Sequence, residues 1–166
     1  RFLWLERAQV DWRQTDQLDE VIAFHNGYQK SGITHQRALK FCPPARFLVT
    51  DILTPAPTDH QPHVYILHWL LPDWDWRLVE SNLTLTTKSD KFEIAINAVG
   101  ELTGENLNPT DIAIIRGGET LTGARKDEIM GWESDTYGEK KPALSFSITY
   151  QNSGKITIIT KWNLMA

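Results

Sequence analysis

Cysteine is almost missing from this chain. Its 166 residues hold one, Cys42, so no internal disulfide can staple the fold. That does not fix the compartment, because larger exported proteins often lack disulfides. Long apolar runs are missing too. The longest, Val64-Tyr65-Ile66-Leu67-His68-Trp69-Leu70-Leu71, is closed by Pro72 and falls well short of the roughly 20 residues a membrane helix needs. Runs of Lys and Arg are also absent: 17 basic residues are scattered along a chain of net charge −4. No stretch can neutralise a phosphate backbone, which argues against nucleic acid as a partner. A polyanionic sugar needs only local Arg or Lys in a groove, and net charge leaves that open.

Helical periodicity is the next absence. No window carries a long apolar stripe at helical spacing. Gln17-Leu18-Asp19-Glu20-Val21-Ile22-Ala23 has room for one turn, but β-branched Val21 and Ile22 favour a strand. No secretory leader is visible. The chain opens at Arg1 without Met and enters Phe2-Leu3-Trp4-Leu5 at once, which reads as a cut inside a longer polypeptide.

What is present is ordinary globular material, 41% hydrophobic and 23% charged, sized for a single domain over residues 1–166. The pattern is period two. Arg46-Phe47-Leu48-Val49-Thr50-Asp51-Ile52-Leu53 is apolar and β-branched, and Pro55 and Pro57 close it. Lys91 to Val99 alternates and stops at Gly100. Further strands are expected at 2–10, 18–25, 33–41, 63–71, 76–80, 83–88 and 111–116. Near the end, Ala143 to Tyr150 alternates, Asn152-Ser153-Gly154 supplies a turn, and Lys155 to Trp162 returns. That spacing predicts a C-terminal antiparallel hairpin. About eleven short strands, with residues 100–110 as a long loop, predict an all-β fold: a large antiparallel two-sheet sandwich with little or no helix.

Several residues could carry chemistry. His25 and Tyr28 flank Asn26-Gly27, a favoured pair for a type I′ hairpin turn, which would set the two side chains opposite each other. A His–Tyr pair can move a proton. The plainer reading is an aromatic pair packed over a turn. His35 and Arg37 are two apart and share one strand face. Arg beside His can hold a carboxylate through two parallel hydrogen bonds, or can simply be a surface ion pair. His60, His63 and His68 lie within nine residues, but His63 and His68 point to opposite faces of a strand, so they read as loop and strand residues and not as a metal site. Trp69, Trp74, Trp76 and Trp132 are candidates for stacking on sugar rings; the alternative is core or interface packing.

The order of short segments adds a further reading. Phe2-Leu3-Trp4 leads to Ala8, followed by His25-x-Gly27-Tyr28, His35-x-Arg37, Phe47-x-Val49-x-Asp51, and His68 before Leu70-x-Pro72. Gly131-Trp132-x-Ser134-x-x-Tyr137-Gly138 with Pro142 comes last. In this order they resemble the closing β-sandwich of heparinase II/III-like polysaccharide lyases. Met130 departs from the pattern, standing where an Arg is common before Gly-Trp.

The resemblance implies β-elimination on uronic-acid-containing glycans such as glycosaminoglycans or alginate. It also implies a preceding helical toroid as partner domain, an acidic polysaccharide as ligand, and a periplasmic or secreted setting. The family's toroid Tyr and Asn/His residues have no counterpart here. Neither its His-x-His segment nor the His-Asn-Thr segment of its zinc site occurs in this chain. No catalytic residue and no metal ligand therefore transfers, and the family's zinc site, with the catalytic groups, is expected upstream of Arg1. His25, Tyr28, His35, Arg37, Trp132 and Tyr137 transfer only as family-motif positions, structural or lining the cleft. The alternative is a non-catalytic carbohydrate-binding or structural β-sandwich in exopolysaccharide handling.

Overall fold

The computed structural model describes residues 8–15, 18–25, 27–100 and 104–165. The described chain is built from strands, with a single turn of 3-10 helix at Gln29–Ser31. In order these are β1 (Gln9–Thr15), β2 (Leu18–His25), β3 (Ile33–Cys42), β4 (Arg46–Pro55), β5 (His63–Leu71), β6 (Asp75–Val79), β7 (Asn82–Thr86) and β8 (Lys91–Gly100). They continue with β9 (Asn106–Leu107), β10 (Asp111–Arg116), β11 (Glu119–Thr122), β12 (Trp132–Glu133), β13 (Lys141–Pro142), β14 (Leu144–Asn152) and β15 (Ile156–Met165).

Two antiparallel sheets form the body. The large one runs β1-β2-β3-β4-β15-β8-β7-β6, with β9 added on β8. The small one runs β11-β10-β14-β5, and β12 with β13 makes a separate ribbon. Directly opposed residues share a face, so one register row identifies the inward side of the large sheet. Trp12 pairs Val21, Val21 pairs Leu39, Leu39 pairs Val49, Val49 pairs Thr160, and Thr160 pairs Ile96. Ile96 belongs to the core, where Leu83, Ile94 and Ile158 of the large sheet meet Leu67, Phe146 and Tyr150 of the small one. The small sheet thus packs over β15, β8 and β7.

Most of the expected strands form at or within two residues of their expected bounds. Residues 2–7 of the expected 2–10 strand lie outside the described residues, and β1 begins at Gln9. The expected loop 100–110 carries the short β9. Four short strands, β9, β11, β12 and β13, escape the period-two reading because two to four residues are too few to show alternation.

The C-terminal hairpin does not form. β14 pairs with β10 and β5 in the small sheet, whereas β15 pairs with β4 and β8 in the large one. The turn is an arch that carries the chain between sheets. Asn152 holds it: its Nδ2 donates to the carbonyls of Gly154 at 3.0 Å and Lys155 at 3.2 Å. Both strands are apolar and central, so each gains more by sitting between two partners in its own sheet than by pairing with the other.

Candidate functional site

β3 and β4 set the site. Their register places His35 against Leu53 and Arg37 against Asp51, on the inward face of the large sheet. β2 pairs with β3 so that His25 faces His35. The β2–β3 connection is not the expected tight type I′ turn. Residues 26–32 span it, with the 3-10 turn at Gln29–Ser31 and Gly32 in the left-handed region at φ 69°. His25 therefore opposes His35 and not Tyr28. Tyr28 still folds back onto the pair, its ring centroid 5.4 Å from His25 and 6.1 Å from His35.

The polar groups form one directional chain. The Gly27 N–H donates to His25 Nδ1 at 3.0 Å. His25 Nδ1 is thus an acceptor, and a neutral ring carries its proton on Nε2. His25 Nε2 lies 2.7 Å from His35 Nδ1, and His35 Nε2 lies 2.6 Å from Asp51 Oδ1. With every bond satisfied, both imidazoles are neutral and both donate toward Asp51. Arg37 closes the array, with Nε donating to Asp51 Oδ1 at 2.7 Å and Nη2 to Oδ2 at 3.1 Å. Of the two readings of His-x-Arg, a carboxylate clamp or an ion pair within the fold, the fork here is an ion pair with the protein's own carboxylate, and Asp51 is buried.

The electrostatics follow. Asp51 is buried, and burial alone would raise its pKa. The hydrogen bonds from His35 and Arg37, with the positive charge of Arg37, outweigh burial and hold it below the ordinary carboxylate value. His25 is held below the ordinary histidine value by burial first, then by the nearby His35 and Arg37. The Arg37 guanidinium also stands over the Trp69 ring of β5, 5.3 Å from its centroid. It bridges the large sheet to the edge of the small one.

These groups line a cleft of about 210 Å³ at the shoulder where β5 stops. Tyr28, His35, Arg37 and Asp51 form one wall; Tyr65, Ile66 and His68 of β5 form the other. His68 Nε2 lies 2.6 Å from Ser145 Oγ, and burial holds its pKa below the ordinary value, with Arg125 adding to the effect and Asp127 opposing it. The cluster does not suit a metal. Among the described residues no three His, Cys, Asp or Glu side chains converge on an ion site, and the ring nitrogens of His25 and His35 are already engaged.

Trp132 and Tyr137 stand apart from this cleft. Trp132 lies in β12, where its Nε1 donates to the Glu128 carbonyl and Lys140 sits 3.9 Å over its ring. Tyr137 is fully exposed in the loop between β12 and β13. Gly131 explains the Gly-Trp pair. Its φ is 76°, and a Cβ there would stand 2.5 Å from the Ile115 carbonyl. Met130 uses its sulfur, 3.4 Å from Ser145 Oγ, to cover the outer face of β14.

Asp51 enters the sequence reading only as the end of Phe47-x-Val49-x-Asp51, and no spacing marks it as the partner of Arg37. Its signal is legible in retrospect: it is the one acid in β4, two residues from Val49 and Leu53, on the inward parity.

With this geometry in place, comparison with known proteins gives one kind of match. No family model matches the chain, and no curated protein sequence matches it significantly. Solved structures do. A heparinase III with methylated lysines superposes with a TM-score of 0.68 at 11% identity, over 95% of this chain. Heparan sulfate lyase HepC from Pedobacter heparinus gives 0.68 at 14% identity over 96%, and a further heparinase III gives 0.65 at 11% over 95%. The fold is that of a piece of heparinase III. The chain spans only 21% of each of these solved chains.

Proposed function

We propose that this chain is the β-sandwich part of a heparinase II/III-like polysaccharide lyase, one that supports the substrate cleft without being catalytic by itself. The observation that carries this is the closed array at the shoulder. Arg37 gives both arms of its fork to Asp51, His35 gives Nε2 to the same carboxylate, and His25 is bonded at both ring nitrogens. Arg37 is charge-paired to a buried aspartate, which cancels much of the positive charge that a substrate uronate would call on. Abstracting a proton would require His25 to lose its bond from Gly27. Neither group is poised for β-elimination, so the acid–base groups and any zinc belong to residues outside this chain. A helical toroid of the same polypeptide would supply them and form the facing wall, with an acidic polysaccharide between.

The test is the ultraviolet absorbance of unsaturated uronate when the 166-residue chain is incubated with heparan sulfate, heparin or alginate. No product is expected. Sustained product from the chain alone overturns the reading.

One observation favours the non-catalytic carbohydrate-binding alternative. Trp74 is exposed beside Asp73, Asp75 and Arg116, and the Asp73–Arg116 fork is bidentate, with Nε–Oδ1 at 2.6 Å. An aromatic plate rimmed by fixed polar groups suits a sugar ring. Tight glycan binding by the isolated chain that Trp74→Ala abolishes would favour it.

A further inference from the structure

The chain changes sheets at Leu71-Pro72-Asp73-Trp74. β5 ends in the small sheet at Leu71, β6 begins in the large one at Asp75, and three residues make the crossing. The crossing is tightly bent, with the Trp74 N–H donating to the Pro72 carbonyl at 2.9 Å. It sets Trp74 against Phe92 of β8, ring centroids 5.3 Å apart. A register row of the large sheet shows what lies behind it. Phe41 pairs Phe47, Phe47 pairs Trp162, Trp162 pairs Ile94, and Ile94 pairs Leu83. Ile94 and Leu83 are fully buried, whereas Phe47 is 50% exposed. Between this end of the row and Leu71 a cavity of about 490 Å³ remains, and Asn163 is the one polar residue in its lining. Phe47, Leu85, Phe92 and Trp162 form its walls, with Trp74 at one side. Small-ligand sites are of this kind, concave and mostly apolar with a few placed polar groups.

Trp74 lines a second hollow as well, and that one is polar. Asp73, Asp75, Trp76 and Arg116 complete it. Arg116 gives both arms of its fork to Asp73, Nε–Oδ1 at 2.6 Å and Nη2–Oδ2 at 2.5 Å, which fixes both side chains. One positive charge here faces two negative ones, and Glu119 stands close enough to act on Arg116. The field over this ledge is therefore negative. It repels a carboxylate or a sulfate and accepts hydrogen bonds from neutral hydroxyls. Trp74 thus divides an apolar chamber from an acidic ledge and belongs to both.

We infer that this end of the sandwich binds a neutral saccharide that carries an alkyl tail, with the sugar ring on Trp74 beside Asp73, Asp75 and Arg116 and the tail among Phe47, Phe92 and Trp162. The inference rests on the reading of Trp74 as a plate for a sugar ring and adds what the neighbouring chamber takes. Charge argues for the head: the ledge admits neutral hydroxyls and turns away the uronate and sulfate groups of an acidic polysaccharide. Chemistry argues for the tail: hydroxyls placed in the chamber would lose water and gain almost no partner, whereas methylenes lose nothing there. The site shares no lining residue with the cleft at His35, Arg37 and Asp51, so it is separate from whatever that cleft serves.

Isothermal titration of the 166-residue chain with octyl glucoside, below its micelle concentration, tests this beside glucose, octanol and octyl glucuronide. Octyl glucoside should bind at least about 30-fold more tightly than glucose, since each methylene taken out of water is worth roughly fourfold. It should also bind more tightly than octanol, which lacks the head, and than octyl glucuronide, whose carboxylate meets the acidic ledge. Phe47→Glu, at a half-exposed position that tolerates a charge, should remove the gain from the tail, and Trp74→Ala should remove binding of octyl glucoside. No binding of octyl glucoside overturns the inference. Equal affinity for glucose and octyl glucoside overturns it while leaving Trp74 as a sugar plate, and equal affinity for octyl glucoside and octanol overturns both. A dimer that Phe47→Glu converts to monomer overturns it in favour of a second copy at this end.

Discussion

At the scale of residues, the account turns on Asp51. One carboxylate compensates Arg37 and orients His35, which in turn orients His25. Asp51→Asn keeps the shape but removes the charge. Arg37 is then left partly buried without its counter-ion, at a cost of about 2–3 kcal/mol. That is a fall of roughly 5–10 °C in thermal midpoint for a chain of this length. An unchanged midpoint would show that the array is dispensable to the fold. The pH dependence has a definite sign. His25 and His68 have folded pKa values below the ordinary histidine value, mainly through burial, so the unfolded chain binds protons that the folded chain refuses. Their contribution is complete above the unfolded value near 6.5 and is lost as pH falls through the depressed folded values. Asp51, also depressed, adds a second loss only below its unfolded value of 3.8. The thermal midpoint should fall between about pH 7 and about pH 5, and His25→Gln should shallow that fall. A midpoint flat across this range contradicts the neutral-imidazole assignment. Much of this site was legible in the sequence. Two-residue spacing put His35 and Arg37 on one face, and His25 and Tyr28 were already marked. Their partner was not legible, because a carboxylate across a strand pair is found only once the β3–β4 register is known.

At the scale of elements, local pattern and pairing part company. Period-two alternation located the long strands, because a half-buried strand must alternate wherever it sits. It did not say which strands pair. Asn152-Ser153-Gly154 between two apolar runs suits a hairpin and an arch equally well, and only burial on both sides decides between them. Tyr150 and Phe146 of β14 and Ile156 and Ile158 of β15 are all buried, each against the opposing sheet. Asn152→Ala should remove two hydrogen bonds from the arch and cost about 1–2 kcal/mol, measured by urea unfolding. The Gly131-Trp132 segment behaves similarly. Gly131→Ala combines a left-handed φ with a Cβ 2.5 Å from the Ile115 carbonyl, so it should cost roughly 2–4 kcal/mol and loosen the cover over β14. If Gly131→Ala unfolds at the parent urea midpoint, the segment has some role other than holding that cover.

At the scale of the whole molecule, a wide sheet is covered over part of its width, and the polar groups at the step are already neutralised by one another. Such a body is suited to bear against something else. Its shoulder offers a cleft wall, while the residues best suited to acid–base work are bonded into the fold. The resemblance of short motifs led to the heparinase II/III family, and the superposition on heparinase III supports the fold half of that expectation directly. The activity half is decided by the release of unsaturated uronate from heparan sulfate, followed by ultraviolet absorbance. On the proposal that these residues are part of a larger lyase, it is measured side by side for the 166-residue chain, for a longer polypeptide that contains it, and for that polypeptide with these residues deleted. The account predicts product from the longer polypeptide alone; product from the isolated chain, or undiminished product after the deletion, would contradict it.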